Sequence, residues 1–499
     1  MLWGINVYFK IINCLKISNV CSFARQLILS ILLLLVCMPT VLCAQEDVMP
    51  VKMVNDSAAV TIIGNISIEG NKRTKEYIIR REMATAPGDT LSRFALQEAL
   101  EIDRRKITNT NLFVTVDMVE IPRQRTAITD LQVIVKERFY VMPLPVFQLA
   151  DRNFNEWWYD RNRDITRTTY GMYLSYANVT GRADRLRVLT EFGFLPKYEI
   201  SYSMPYIDKK MRLGVSAGIS YATNKSMAFR TWKDKLDFLQ SEAINRKRLS
   251  IFGSLTYRKK FYDFHSVDAR WLQASLSDTI MQLNPKYVIP DDSLQRYFQL
   301  TYTYSYDKRD VSQYPLRGRM YGLQLSKRGI LPSDDINQGI IYGWYHHYFP
   351  LGERWFANSA VRGRLTLAKD PGYMYNPGLG FGQDYVRGYE LYVIDGKDYA
   401  VWKNEAKFKL FEVRKFFGWV PIRQFNTLPL AAYINAFADA GYARNQFPER
   451  SNTSLGNKWI AGAGMGLDIV TFYNIVGRLN YTFNGLGEKR LFFSIGREF

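Results

Sequence analysis

The sequence predicts a transmembrane β-barrel of about 16 antiparallel strands, preceded by one small N-terminal α+β domain. From residue 141 to the C-terminus, apolar and polar side chains alternate in segments of about ten residues, the length that crosses a hydrocarbon core at barrel tilt. Aromatic side chains cluster near the ends of these segments, as they do at membrane interfaces. A soluble array of β-sandwiches is the alternative, but it does not explain the aromatic bias.

The first 44 residues are expected to be a secretory signal peptide. The apolar run LILSILLLLVCM follows three basic residues and is too short to cross a bilayer as a helix. A membrane anchor is the alternative, and Cys43 would indicate lipoprotein processing if Leu42 before it were small. We expect cleavage after Ala44 and a linker over residues 45–60.

Cysteine and charge narrow the classes of function. All four cysteines lie within the predicted signal peptide, so the mature chain has neither disulfides nor thiolate metal sites. The formal net charge of the whole chain is +19. A basic excess can indicate nucleic acid, but a secreted chain is expected to meet anionic lipid or a polar lumen instead.

Residues 61–138 are predicted to form the α+β domain. The stretch TIIGNISIEG predicts a strand, and residues 74–83 predict a helix that the following Pro-Gly pair ends. Ser92 is a candidate N-cap for a second helix. Two alternating segments follow at residues 112–121 and 128–136. This order predicts a small sheet with one free edge.

Three strings in this domain, ISIEGNKRTKEYIIRREM, PGDTLS and TNLFVTVDM, together resemble a POTRA domain. POTRA domains are the periplasmic modules of outer-membrane assembly and secretion barrels. The resemblance implies that the free sheet edge binds unfolded outer-membrane protein clients or periplasmic chaperones by adding a strand. An unrelated α+β domain is the alternative.

The barrel is assigned to residues 139–499, and its connections are expected to differ in length at the two ends. Polar loops around Lys233, between strands 4 and 5, and around Pro290, between strands 6 and 7, are expected to face the exterior. The short turns at residues 196–197 and 259–260 are expected to be periplasmic. These assignments rest on loop length alone.

No catalytic or metal-binding constellation emerges, and no cofactor is expected. GVSAG at residues 214–218 matches a nucleophile pattern, but it lies within a predicted strand. His346 and His347 are adjacent on a strand and point to opposite faces, so they cannot chelate together. The glycines in GAGMG at residues 462–466 repeat at period two and predict one smooth strand face.

A long insertion at residues 369–399, between strands 11 and 12, carries the sequence VRGY. Two further motifs follow on the next strands, NEAKF and FADAGYA. The candidate site residues in the three motifs are Val386, Arg387, Gly388, Tyr389, Glu405, Phe437, Asp439 and Gly441.

This trio of motifs resembles the BamA/TamA superfamily, also described as the bacterial surface antigen family. Its barrels carry an inward-folded loop tipped by an Arg-Gly-aromatic motif. The resemblance implies that Arg387 docks in the lumen against Asp439 and Glu405, where a planar guanidinium suits two carboxylates. A surface loop with coincidental charges is the alternative.

The first strand, residues 141–150, and the last, residues 491–499, are expected to meet at a weak seam. Proline removes a backbone donor and glycine removes side-chain packing. A final strand that ends in an aromatic residue also resembles the signal read by barrel-assembly machinery. The residues concerned are Pro143, Pro145, Phe493, Ile495, Gly496 and Phe499.

These features predict a non-enzymatic assembly and insertion factor of the BamA/TamA type, acting in the bacterial outer membrane with its POTRA domain in the periplasm. The principal assembly factors of the family have several POTRA domains, whereas this chain has room for one. A secretion pore for an exported partner protein, of the two-partner type, and a passive channel are the alternatives. An enzyme acting on a soluble substrate is a more distant one.

Overall fold

The computed structural model describes residues 60–208, 210, 212–289, 292–370, 372–418, 427–448, 453–471 and 475–496. The predicted signal peptide, almost all of the linker and Phe499 lie outside these residues. In the described part of the chain, no helix combines the length and the apolar character needed to cross a membrane.

The N-terminal domain is a four-stranded sheet with two helices packed on one face. Its elements are β1 (Val60–Glu69), α1 (Glu76–Glu82), β2 (Thr90–Ser92), α2 (Arg93–Asn109), β3 (Phe113–Pro122) and β4 (Ile128–Glu137). The sheet order is β2-β1-β4-β3, with β1 parallel to β4, so β3 lies at an edge. The Ser92 hydroxyl caps α2 by accepting a hydrogen bond from the Ala95 N–H at 3.3 Å, which confirms the predicted N-cap.

Apolar side chains from both helices and three strands fill the space between them. Ile78 and Ile79 from α1 and Ile107 from α2 are buried against the sheet. The short strand β2 was not predicted, because its three residues immediately precede the α2 cap and carry no periodic pattern of their own.

The rest of the chain forms a 16-stranded antiparallel sheet, which confirms the predicted fold class. Its strands are β5 (Val141–Leu149), β6 (Thr168–Ala177), β7 (Arg185–Gly193), β8 (Lys197–Met204), β9 (Leu213–Asn224), β12 (Arg246–Arg258), β13 (Asp263–Leu276), β14 (Leu294–Arg309), β15 (Gly318–Arg328), β16 (Gln338–Pro350), β17 (Trp355–Leu367), β18 (Asp398–Phe416), β19 (Thr427–Arg444), β20 (Trp459–Val470), β21 (Val476–Asn484) and β22 (Lys489–Gly496).

The connections between strands carry further short elements. The first connection holds the helix α3 (Phe154–Tyr159) and a 3-10 turn (Ile165–Arg167). A hairpin of β10 (Met227–Trp232) and β11 (Lys235–Leu239) joins β9 to β12. The helix α4 (Asp278–Leu283) follows β13, and a second 3-10 turn (Tyr373–Tyr375) lies between β17 and β18.

Strand alternation corrects part of the predicted loop assignment. The turn between β6 and β7 contacts the N-terminal domain, so every second connection lies at that end of the barrel. The turn at residues 259–262 lies there, but the turn at residues 194–196 lies at the opposite end. The prediction that both turns lie on the same side is therefore wrong, because a tight hairpin can form at either end of a barrel.

The counting of strands also needs correction. The Lys233 loop joins the fifth and sixth barrel strands, and the Pro290 loop joins the seventh and eighth. Both predictions are therefore one strand too early, since boundaries at short turns are weakly marked in the sequence. The insertion at residues 369–399 does lie between strands 11 and 12, as predicted.

The N-terminal domain is joined to the barrel through a cluster around Thr74. The Thr74 hydroxyl is hydrogen-bonded to Glu137 at 2.6 Å, to the Tyr140 hydroxyl at 2.8 Å and to the Asn178 amide at 2.9 Å. Burial opposes ionisation of Glu137, but the hydrogen bonds from Thr74, Arg73 and Tyr140 together outweigh it and hold the pKa of Glu137 below its ordinary value. These contacts fix the orientation of the domain.

Candidate functional site

The inserted loop folds into the barrel, and its tip is buried. Val386 and Arg387 are each 1% exposed and Tyr389 is 3% exposed. Tyr389 accepts a hydrogen bond from the Gly485 N–H at 3.0 Å through its hydroxyl, and the Asn484 amide donates to the Gly388 carbonyl at 2.9 Å. The tip is thereby attached to the end of β21.

Arg387 lies between two buried carboxylates. Its Nε and Nη2 donate to the two oxygens of Asp439 at 2.8 and 2.7 Å, which is a bidentate fork. Its Nη1 lies 3.4 Å from Glu405 Oε1. The guanidinium carbon lies 3.9 Å from the centre of the Phe437 ring, so the flat cation also stacks on an aromatic face.

Glycines make the docking of the tip possible. Gly388 has a φ of +94°, a conformation that other residues adopt only with strain. At Gly441, a Cβ atom would lie 2.6 Å from the Val386 side chain. At Gly462, a Cβ atom would overlap the Arg387 carbonyl oxygen. Of the smooth glycine face predicted on β20, Gly462 is therefore the residue that lies against the loop tip.

Several residues that hold the cluster were not identified from the sequence. Asn404 accepts a bond from Arg387 Nη2 through its backbone carbonyl at 3.2 Å. The Asn358 amide donates to Glu405 Oε2 at 3.2 Å. Glu405 lies directly opposite Asn358 in the pairing of β17 with β18. Aligning the two predicted strands in the sequence would therefore have indicated this contact.

A second brace enters the lumen from the opposite end. The turn between β14 and β15 places the Tyr314 hydroxyl 2.9 Å from Asp468, which also receives Arg478 Nε at 2.8 Å. Lys407 Nζ lies 4.2 Å from the centre of the Tyr314 ring and 3.7 Å from Glu405. Glu405 and Lys407 thus connect the two braces within the lumen.

The other sequence candidates with possible chemistry lie in regular strands. Residues 214–218 are inside β9, which is paired on both sides. His346 is buried and His347 is half-buried on the opposite face of β16. Neither feature forms a site.

The predicted seam residues lie at the two ends of the sheet. Among the described residues, the sheet runs from β22 round to β5, and no ladder joins those two strands. Phe493 is 36% exposed and Ile495 is 68% exposed, on the outward face of β22. Gly496 is the last residue of β22 and pairs with Val476.

The two prolines of β5 face the seam. The Ala150 N–H donates to the Arg167 carbonyl, and the Ala177 N–H donates to the Tyr140 carbonyl. The even-numbered residues of β5 are therefore the ones whose backbone groups are hydrogen-bonded to β6. Hydrogen-bonded and non-hydrogen-bonded pairs alternate along an antiparallel ladder. The nitrogens of Pro143 and Pro145 therefore point to the free edge, where neither can donate a hydrogen bond.

Comparisons with known families agree with this architecture. Residues 61–138 match the POTRA family model, described as surface antigen variable number repeat. Residues 178–499 match the Omp85 superfamily domain.

Individual relatives support the same assignment over different parts of the chain. The outer membrane protein assembly factor BamA of Nitratidesulfovibrio vulgaris is 32% identical over 95 residues, which are 19% of this chain and 12% of that protein. The structure of BamA from Haemophilus ducreyi lacking POTRA domains 1-3 aligns with a TM-score of 0.54 at 16% identity, over 87% of this chain and 84% of that one. CdiB from Escherichia coli aligns with a TM-score of 0.53 at 13% identity, over 87% of this chain and 75% of that one.

The two solved structures share the fold with this chain at low identity. The Omp85 model, in contrast, covers more than half of the sequence, from the turn after β6 to the C-terminus. This chain therefore belongs to the Omp85 superfamily, of the BamA/TamA type, and is built as an outer-membrane β-barrel with a POTRA domain.

Proposed function

We propose that this protein inserts or assembles other proteins at the bacterial outer membrane by opening its wall between β5 and β22. It does so without enzymatic chemistry and without a cofactor. Its clients are unfolded outer-membrane proteins, delivered directly or by periplasmic chaperones to the free edge of the POTRA sheet. The signal peptide ends at residue 44, the linker at 60 and the POTRA domain at 138, with residues 139–499 in contact with outer-membrane lipid and lipopolysaccharide.

The unpaired seam is the observation that carries the proposal. A closed barrel satisfies all its backbone polar groups, and an unpaired edge within a membrane is costly. Here the edge of β5 lacks two donors, at Pro143 and Pro145, so pairing between β5 and β22 would lose hydrogen bonds that other barrel junctions make. A wall that opens there breaks fewer hydrogen bonds than it would elsewhere.

The filled lumen argues for lateral opening rather than passage through the barrel. The loop tip at Arg387 and the brace at Tyr314 occupy the interior from opposite ends. A secretion pore or a passive channel would require both to leave, and removing one partner of the buried Arg387–Asp439 pair is costly. We assign the loop tip the role of holding β18 to β21 in place while the seam opens.

Disulfides across the seam test the proposal directly. After the predicted signal peptide the chain has no cysteine, so paired cysteines placed in β5 and β22 have no competing thiols. Oxidation should abolish insertion of a client barrel into vesicles, and reduction should restore it.

The matched control is Phe147→Cys with Tyr170→Cys, which links β5 to its established neighbour β6 at directly opposed positions. This bridge should leave insertion unchanged. Full activity with the seam locked would refute lateral opening, and it would favour a secretion pore or a passive channel through the lumen.

A further inference from the structure

The free edge of β22 is covered by a side chain that imitates a neighbouring strand. Asn155, in α3, donates from Nδ2 to the Phe493 carbonyl at 3.1 Å and accepts from the Phe493 N–H at 3.0 Å through Oδ1. In an antiparallel ladder, one residue exchanges this same pair of bonds with the residue opposite it. The carboxamide of Asn155 therefore occupies the position that the backbone of a strand paired with β22 would take.

Contacts on either side of Asn155 extend this cover. The Tyr159 hydroxyl donates to the Leu491 carbonyl at 3.1 Å. The Phe154 ring meets the Phe493 ring edge-on, with centroids 5.6 Å apart. Asn155 itself is 4% exposed, so water does not compete freely for its amide.

The register of β22 shows that these are seam-facing groups. The Asn484 N–H donates to the Glu488 carbonyl, so the even-numbered residues of β22 are the ones whose backbone groups are hydrogen-bonded to β21. The N–H and C=O groups of Leu491 and Phe493 consequently point away from β21. They are groups that an additional strand would need.

The helix is held in this position by the inward-folded loop. Arg152 Nη1 donates to the carbonyls of Gly380 at 2.6 Å and Tyr392 at 3.2 Å. Asn153 Nδ2 donates to the Glu390 carbonyl at 2.8 Å. The position of α3 therefore depends on the loop that carries Arg387.

We propose that α3 is an internal latch, which occupies the seam edge of β22 and has to leave before an incoming strand can pair there. This inference rests on the proposed lateral opening and adds a regulatory step to it. Release of α3 exposes an edge with its N–H and C=O groups free, whereas docking of α3 satisfies them within the protein.

Hydrogen exchange tests whether α3 holds the edge, independently of any client. Asn155→Ala removes the acceptor of the Phe493 N–H, so that amide should exchange about tenfold faster or more in the full-length protein. Asn155→Asp preserves the side-chain volume, but an ionised carboxylate is repelled by the Phe493 carbonyl to which the amide donated, so it should move away from the edge and the Phe493 N–H should again exchange faster. Thr166→Ala is the control, because the Thr166 hydroxyl bonds to Asp164 within the same connection rather than to β22.

A second measurement tests whether the latch limits activity. The probe is a urea-unfolded eight-stranded outer-membrane barrel, whose folding into dimyristoyl phosphatidylcholine vesicles is followed by gel mobility. Asn155→Ala should raise the initial rate about threefold or more, and Thr166→Ala should match the wild type.

The outcomes separate the latch from the proposed function. Unchanged exchange at Phe493 in both Asn155 variants would overturn the inference. Faster exchange with an unchanged insertion rate would also overturn it, while lateral opening would still stand. If no form of the protein accelerates folding of the probe, the proposed function fails and the regulatory role of α3 fails with it, whatever the exchange shows.

Discussion

Replacing Arg387 with alanine should release the inward-folded loop. The substitution removes the fork to Asp439, the ion pair with Glu405 and the stacking on Phe437. Both carboxylate side chains are fully buried, so the change leaves negative charge without its main partner in a confined space. Breaking a buried pair in this way costs about 3–5 kcal/mol. That corresponds to a loss of roughly two to four orders of magnitude in the docking equilibrium of the loop.

Limited proteolysis with chymotrypsin measures the docking of the loop. The tip carries Tyr389, which is buried in the wild type and should become a cleavage site in Arg387→Ala. Reversing the charge with Asp439→Arg should have an equally large effect. Arg387→Gln combined with Asp439→Asn should recover part of the protection, since removing both charges avoids an unpaired one. Wild-type protease resistance and activity in both single variants would refute the pairing as the force that docks the loop.

Three further predictions follow from other parts of the molecule. Gly388→Ala should destabilise the docked loop by about 1–2 kcal/mol because of the positive φ, and the chymotrypsin assay should show it; an unchanged pattern would contradict the strain argument. Lowering the pH should loosen the junction at Glu137, because folding lowers the pKa of this carboxyl group. The resulting stabilisation is fully present at pH values above the ordinary pKa of about 4.3, and it is lost as the pH falls through the lower pKa of the folded state. The distribution of distances between a spin label on α2 and one on the turn between β6 and β7 should broaden below about pH 4. Glu137→Gln should remove this pH dependence. Unboiled protein should migrate faster than boiled protein in a detergent gel, and equal mobility would contradict a membrane β-barrel that stays folded in detergent.

The strands and the family motifs could be predicted because their signals are local or periodic. Alternation along about ten residues indicates a β-strand, a long series of such segments with aromatic ends indicates a barrel, and the VRGY motif is contiguous. The side of the membrane on which a short turn lies has no such signal. It depends on how many strands precede the turn, whereas the prediction for residues 196–197 rests on the length of the turn.

The contacts around the candidate site could be predicted only in part. Family resemblance linked Arg387 to Asp439, but nothing local links Tyr314 to Asp468, which are separated by 154 residues. The same holds for Asn155 and Phe493, which are 338 residues apart. A helix of six residues in a loop is too short to predict reliably, and its contact with the last strand exists only after the sheet has curved round to bring its two ends close together.

The junction around Thr74 divides the wall into two mechanical units. Because Asn178 ties the turn between β6 and β7 to the POTRA domain, the first strands and that domain turn together as one lever. The two luminal braces bind the later strands into a second, stiffer block through Glu405 and Lys407. If the seam widens as we propose, the first unit would rotate against the second, and the tilt of the POTRA domain would report that rotation.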